Sequence, residues 1–155
     1  MTLFIYIIIA WLLAGIFVML PKRSDNLAYL FLFMILSIVN INIYYIRYEK
    51  FHLATYPETY LEYISLIIER SLNVPLFVLF FIYSFESVSS KKEKIGFFLF
   101  WITLFGVYDW LGTMLNVKIY LHWNSLFSIL LYIFYINLAF LLKSWFNKRN
   151  WGAEK

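Results

Sequence analysis

Asp109 is the residue that most needs an explanation. It lies in the otherwise apolar run from Ile95 to Val117, where a carboxylate costs several kcal/mol unless it faces protein or water. Such an acid can hold a proton or ion, pair with a cation, or bond one helix to another. Gly106, Thr113 and Asn116 stand three, four and seven residues from it, which on a helix makes one small, polar stripe facing the bundle and leaves Trp101 and Phe105 toward lipid. The following apolar run carries a matching face of His122, Ser125, Ser128, Tyr132, Tyr135 and Ala139, and an earlier run carries Ser37, Asn40 and Tyr44. Asn40, Tyr44, Glu69, Arg70, Asn73, Asp109, Asn116, His122 and Asn124 are expected in the outer half of a membrane or at its outer rim. They predict a polar pocket open to the outside, with Arg70 as the expected partner of Asp109.

A second reading stands beside the pocket. Buried Asp, Asn and His side chains also hold helices together through hydrogen bonds worth about 0.6 to 2 kcal/mol each, with no ligand. His122, next to Trp123, also reads as an interfacial anchor. Glu58, Glu62 and Glu69 could hold a divalent cation, but a solvated helix face is the more economical account. No metal site and no cofactor are expected.

Much chemistry is excluded by residue type. There is no cysteine, hence no disulfide, thiolate nucleophile or Cys-ligated metal. The H-E-x-x-H, G-x-S-x-G and P-loop patterns are missing. An intramembrane aspartyl mechanism needs two close carboxylates; Asp25 falls in a predicted inner loop, and a Glu69 and Asp109 pair is conceivable but matches no known motif. Transporters often show repeats and broken helices, whereas here only Pro75 interrupts a span and the first apolar segment has no charge.

These residues need elements to position them. Of the 155 residues 63% are hydrophobic and only 14% charged, against about 25% charged in a soluble domain. Crossing about 30 Å of hydrocarbon takes around 20 helical residues, and five segments qualify: about 2–20, 27–46, 71–88, 95–117 and 119–142. The prediction is an all-α integral membrane bundle of five transmembrane helices, folded as a single domain over 1–155. The first segment stops at Pro21-Lys22-Arg23 and has neither the basic start nor the small-residue cleavage site of a signal peptide, so it is expected to be retained. Residues 51–70 form an amphipathic segment before the third helix, with Glu58, Glu62 and Glu69 opposite Leu61, Ile64, Ile67 and Ile68. It either lies on the outer surface or extends the third span upward. Tyr56-Pro57-Glu58 reads as its start, and Pro75 should kink the top of that span.

Positive charge sets the orientation. Lys22, Arg23, Lys91, Lys92, Lys94, Lys143, Lys148, Arg149 and Lys155 fall on one side, and Arg47, Lys50, Arg70 and Lys118 on the other. The richer side is cytoplasmic, which puts the N-terminus outside and the C-terminus inside. The formal charge of +4 is spread over span ends rather than a solvated basic face, so no nucleic-acid partner is expected. Lys91, Lys92, Lys94, Lys148 and Arg149 are expected to contact anionic lipid. Besides the bilayer, another membrane protein or a second copy of the chain is a candidate partner.

Asp109-Trp110-Leu111-Gly112, Lys118-Ile119-Tyr120, Trp123-Asn124, Ser128 and Tyr132, preceded by Tyr56-Pro57 and Pro75, resemble a group of small uncharacterised multi-pass membrane proteins of spore-forming Gram-positive bacteria. The similarity is spread over roughly the last two-thirds of the chain. The resemblance implies a bacterial plasma membrane, a carboxylate at position 109 and no known activity; it transfers no catalytic residue. The expected function is non-enzymatic, by ligand sensing in the outward pocket or by contact with a partner membrane protein. The alternatives are a small transporter or channel component centred on Asp109 and Arg70, and a membrane-embedded enzyme using Asp109, Glu69 or His122.

Overall fold

In the computed structural model, residues 1–19 and 26–150 are described, apart from the side chains at 26 and 150. The predicted stop at Pro21-Lys22-Arg23, Asp25 and Lys155 lie outside these described residues. The chain runs α1 (Thr2–Met19), α2 (Asn26–Tyr45), a π-turn (Ile46–Lys50), β1 (Ala54–Thr55), α3 (Tyr60–Ile68), a second π-turn (Glu69–Asn73), α4 (Val74–Ser87), α5 (Lys91–Met114), β2 (Ile119–Tyr120) and α6 (Ser125–Asn150). Among the described residues, five stretches are long and apolar enough to cross a membrane: Thr2–Met19, Leu27–Lys50, Tyr60–Ser87, Lys91–Met114 and Ser125–Arg149. Helix is the expected form, because only internal hydrogen bonds satisfy a backbone placed in lipid.

The third stretch is continuous from Tyr60, so the amphipathic segment extends the span. Its 28 residues reach about 42 Å at about 1.5 Å per residue, longer than the hydrocarbon is thick. It starts at Tyr60 rather than at Pro57, because Thr59 is the N-cap and its hydroxyl accepts the Glu62 N–H at 3.3 Å. Thr59-x-x-Glu62 is the capping-box spacing. The inner face is also not the predicted one: Ser65, Leu66, Glu69 and Asn73 are buried.

Pro75 explains the second π-turn. The Val74 N–H reaches back five residues to the Glu69 carbonyl, and proline offers no N–H to the next carbonyls in line. Two carbonyls released by this widening take side-chain donors from α2. Asn40 Nδ2 donates to the Arg70 carbonyl at 2.6 Å and Ser37 Oγ to the Ser71 carbonyl at 3.2 Å. Tyr135 of α6 donates its hydroxyl proton to Asn40 Oδ1, joining a third span to the same point.

α4 lies at the centre, with Val74, Pro75, Leu76, Val78, Leu79, Phe81 and Ile82 buried. The buried face of α5 is Trp101, Phe105, Tyr108, Asp109 and Gly112. Trp101 and Phe105 therefore pack inward, contrary to the lipid-facing expectation: Phe105 stacks on Tyr132 with centroids 4.6 Å apart, and Trp101 meets Phe81 edge-on. Rings this large bury more apolar area than the small stripe could.

The fourth and fifth spans end and begin differently from the prediction. α5 stops at Met114, and residues 115–124 form a connection instead of helix. Asn116 adopts a left-handed φ of 55°. The Val117 N–H bonds the Gly112 carbonyl at 2.9 Å and the Asn116 N–H bonds the Thr113 carbonyl at 3.1 Å, the paired bonds of a Schellman end. β2 then pairs antiparallel with β1, Ala54 opposite Tyr120 and Thr55 opposite Ile119. The Leu121 and His122 N–H groups both reach the Leu53 carbonyl at 3.0 Å. This two-stranded cap closes one end of the bundle.

Candidate functional site

Beneath the cap lies a cluster of four buried charges. Glu69, Asp109, Arg47 and Lys118 are each no more than 3% exposed, and two acids with two bases leave no net charge. They come from separate pieces of chain: Arg47 from the first π-turn, Glu69 from the second, Asp109 from the last turns of α5, and Lys118 from the connection after α5. Charges this deep persist only when paired or bonded.

Lys118 is the hub. Its Nζ forms ion pairs with Glu69 Oε1 and, at 2.9 Å, with Asp109 Oδ1. The helix end explains how it gets there. The Schellman turn also ties the Lys118 N–H to the Gly112 carbonyl at 3.1 Å, which folds the side chain back under α5. A Cβ on Gly112 would stand 2.9 Å from Lys118 Cε and 3.2 Å from the Tyr6 hydroxyl, so glycine provides the space. Burial is the largest influence and opposes the Lys118 charge, but Glu69 together with the surrounding Tyr132, Tyr44 and Tyr120 outweighs it, and the ammonium is held well above the ordinary lysine range.

Hydroxyls complete the shell. Tyr120 on β2 donates to Asp109 Oδ1 at 2.7 Å. Its proton being used there, the 3.2 Å contact with Ser128 Oγ has Ser128 as donor, while Trp123 Nε1 donates to Ser128 Oγ at 2.9 Å. Tyr44 donates to Glu69 Oε1 at 3.2 Å. Burial, partly offset by Lys118, pushes the Tyr120 phenol up to about 12. Asn73 donates to the Tyr108 hydroxyl at 3.0 Å.

Arg47 is held differently. Its guanidinium carbon is 4.3 Å from the Tyr44 ring centroid, 5.1 Å from Tyr48, 5.2 Å from Trp123 and 5.6 Å from Tyr120, a cage of aromatic faces that suits a cation. Arg47 Nε and Nη2, Asp109 Oδ2, Glu69 Oε2 and Asn73 Oδ1 have no hydrogen-bond partner among the described residues. Arg47 and Asp109 line a cavity of about 10 Å³ with Asn40, Tyr44, Val74, Ser128, Leu131, Tyr132 and Tyr135. That is space for about one water molecule.

The structure gathers five of the predicted residues here: Asn40, Tyr44, Glu69, Asn73 and Asp109 are buried. Arg70 does not pair with Asp109. Its contact with the group is its backbone carbonyl on Asn40, and Lys118 takes the place expected for its side chain. Asn116, His122 and Asn124 are exposed. Asn116 is the left-handed residue that ends α5, and Asn124 Oδ1 accepts the Phe127 N–H at 3.0 Å at the start of α6, so each terminates a helix. Glu58 is exposed while Glu69 is buried in the cluster, which separates the proposed carboxylate face. Among the described residues no three metal-binding side chains come together.

By sequence Arg47 is only a flanking charge, and Lys118 a flanking charge that also falls in the Lys118-Ile119-Tyr120 motif. A signal was present. The predicted fourth and fifth spans left Lys118 alone to connect them, whereas antiparallel helices need about 2 to 8 residues; the chain had to turn around it.

The fold and this buried cluster define a class, a polytopic α-helical protein with five helices fit to cross a membrane. No family model matches the chain, and no curated protein or solved structure is significantly similar to it.

Proposed function

We propose that this is a non-enzymatic polytopic protein of the bacterial plasma membrane, N-terminus outside and C-terminus cytoplasmic, acting through the outward charge cluster as a sensor. In its closed form the cluster admits a single water-sized species. Displacement of the cap releases Lys118, and the rearranged spans signal to a partner membrane protein or a second copy. The observation that carries this reading is Lys118, borne by a turn rather than a span, placed between carboxylates of two different spans. A buried ion pair adds little stability over an apolar replacement, so a cluster serving only stability would be an expensive choice. The two carboxylates are what hold the ammonium, so neutralising them frees Lys118 and with it the cap.

The chain lacks cysteine, so a single introduced thiol reports without background. Val74 lines the cavity and is buried. Val74→Cys should react slowly with a small methanethiosulfonate relative to the exposed reference His122→Cys. Adding Glu69→Gln with Asp109→Asn, which frees Lys118, should raise that relative rate several-fold. A relative rate unchanged by the two substitutions would reduce the cluster to a helix clasp.

A further inference from the structure

A second polar site lies at the opposite end of the bundle, where α4 and α6 finish. A cleft of about 510 Å³ is lined by Glu86, Phe140, Lys143, Ser144, Asn147 and Lys148. Lys143 is buried and its donors are committed: Nζ bonds Glu86 Oε1 at 2.7 Å, Glu86 Oε2 at 2.6 Å and the Tyr29 hydroxyl at 3.1 Å. Glu86 and Lys143 cancel, so the lining is left with the one positive charge of Lys148, which forms no ion pair among the described residues. Ser144, Asn147 and Lys148 stand at spacings of three and four on α6 and so share a face. They offer a hydroxyl, an amide and an ammonium, all exposed. Phe140, one turn deeper on α6, closes the apolar side.

We infer that this cleft binds the phosphodiester of a phospholipid headgroup, with Ser144, Asn147 and Lys148 donating to its non-bridging oxygens. One uncompensated cation matches one phosphodiester anion, and both helices reach this end as stretches fit to cross a membrane, where headgroups lie. Buried Lys143 holds both oxygens of Glu86, which offsets the charge of the only acid of the lining toward phosphate. The site is independent of the charge cluster under the cap.

The full-length protein, purified in mild detergent, is stripped of lipid and titrated with dioleoylphosphatidylglycerol, with dioleoylglycerol, which has the same tails and no phosphate, and with sodium phosphate. Bound molecules are counted by native mass spectrometry. The phospholipid should bind at one per chain and persist in millimolar phosphate, and dioleoylglycerol should not replace it. Lys148→Gln with Asn147→Leu should weaken binding about tenfold or more, as expected on losing charge-assisted hydrogen bonds, whereas Lys50→Gln, exposed at the cap end, should leave it unchanged. Ser144→Leu gives a second, independent loss should the double variant fold poorly. Displacement by inorganic phosphate would make free phosphate the ligand and overturn the lipid assignment. Equal loss in Lys50→Gln, or none in the cleft variants, would overturn the site itself.

Discussion

Lys118 shows what a single buried cation demands of its surroundings. Replacing it with methionine leaves Glu69 and Asp109 buried and uncompensated, so Lys118→Met should cost about 3 to 5 kcal/mol, read as a lower thermal midpoint in detergent. Adding Glu69→Gln and Asp109→Asn should recover much of that loss, because the one charge then left in the cluster is Arg47, which lies among aromatic faces. The pH dependence has a definite sign. Lys118 and Tyr120 both have folded-state values raised above their unfolded ones. Their contribution is complete below the unfolded values, near 10, and is lost as pH climbs toward the folded ones. Thermal midpoints should therefore fall between about pH 10 and about 12, and Tyr120→Phe should flatten part of that fall; a midpoint insensitive to the substitution throughout would contradict it. Gly112→Ala should push Lys118 from its place, at a cost of about 1 to 3 kcal/mol typical of overpacking.

At the scale of elements, the two π-turns and the Schellman end do the positioning. The turn at Glu69–Asn73 exists with Pro75, and its released carbonyls are satisfied from α2 by Ser37 and Asn40. Asn40→Leu should then cost about 1 to 3 kcal/mol, the penalty of an unpaired buried carbonyl. Pro75→Ala, which restores an N–H, should be less damaging in that background than in the parent. A double-mutant cycle of thermal stability measures the coupling, and strict additivity would mean that the proline and the amide are unrelated. Asn40 thus has a full structural account as well as a place on the cavity wall. The chain encoded this legibly at Pro75 and at Ser37, Asn40 and Tyr44. It was less legible at Asn116, whose value lies in tolerating a left-handed φ rather than in its amide chemistry, and which the helical spacing counted as part of a polar stripe. The same spacing turned Trp101 outward, because a stripe assigned from its polar members takes no account of the larger apolar area that the rings bury.

For the whole molecule, the charge count predicts that the cap faces outside. His122→Cys should be labelled by an impermeant maleimide added to intact cells, and Lys92→Cys only after the membrane is opened; the reverse pattern would invert the orientation. α4 connects the two polar ends, with Glu69 in the turn before it bound to Lys118 and Glu86 near its finish bound to Lys143. By itself the sequence determined the number of stretches fit to cross a membrane, because hydropathy adds up along a stretch of chain whatever lies beside it. It also determined that acids, amides and hydroxyls would be drawn together, since hydrocarbon rejects each one. Only the tertiary structure decided which of them meet. Partner choice depends on how turns rotate helix faces and return a connecting residue such as Lys118 into the interior, and that depends on contacts between segments far apart in the chain.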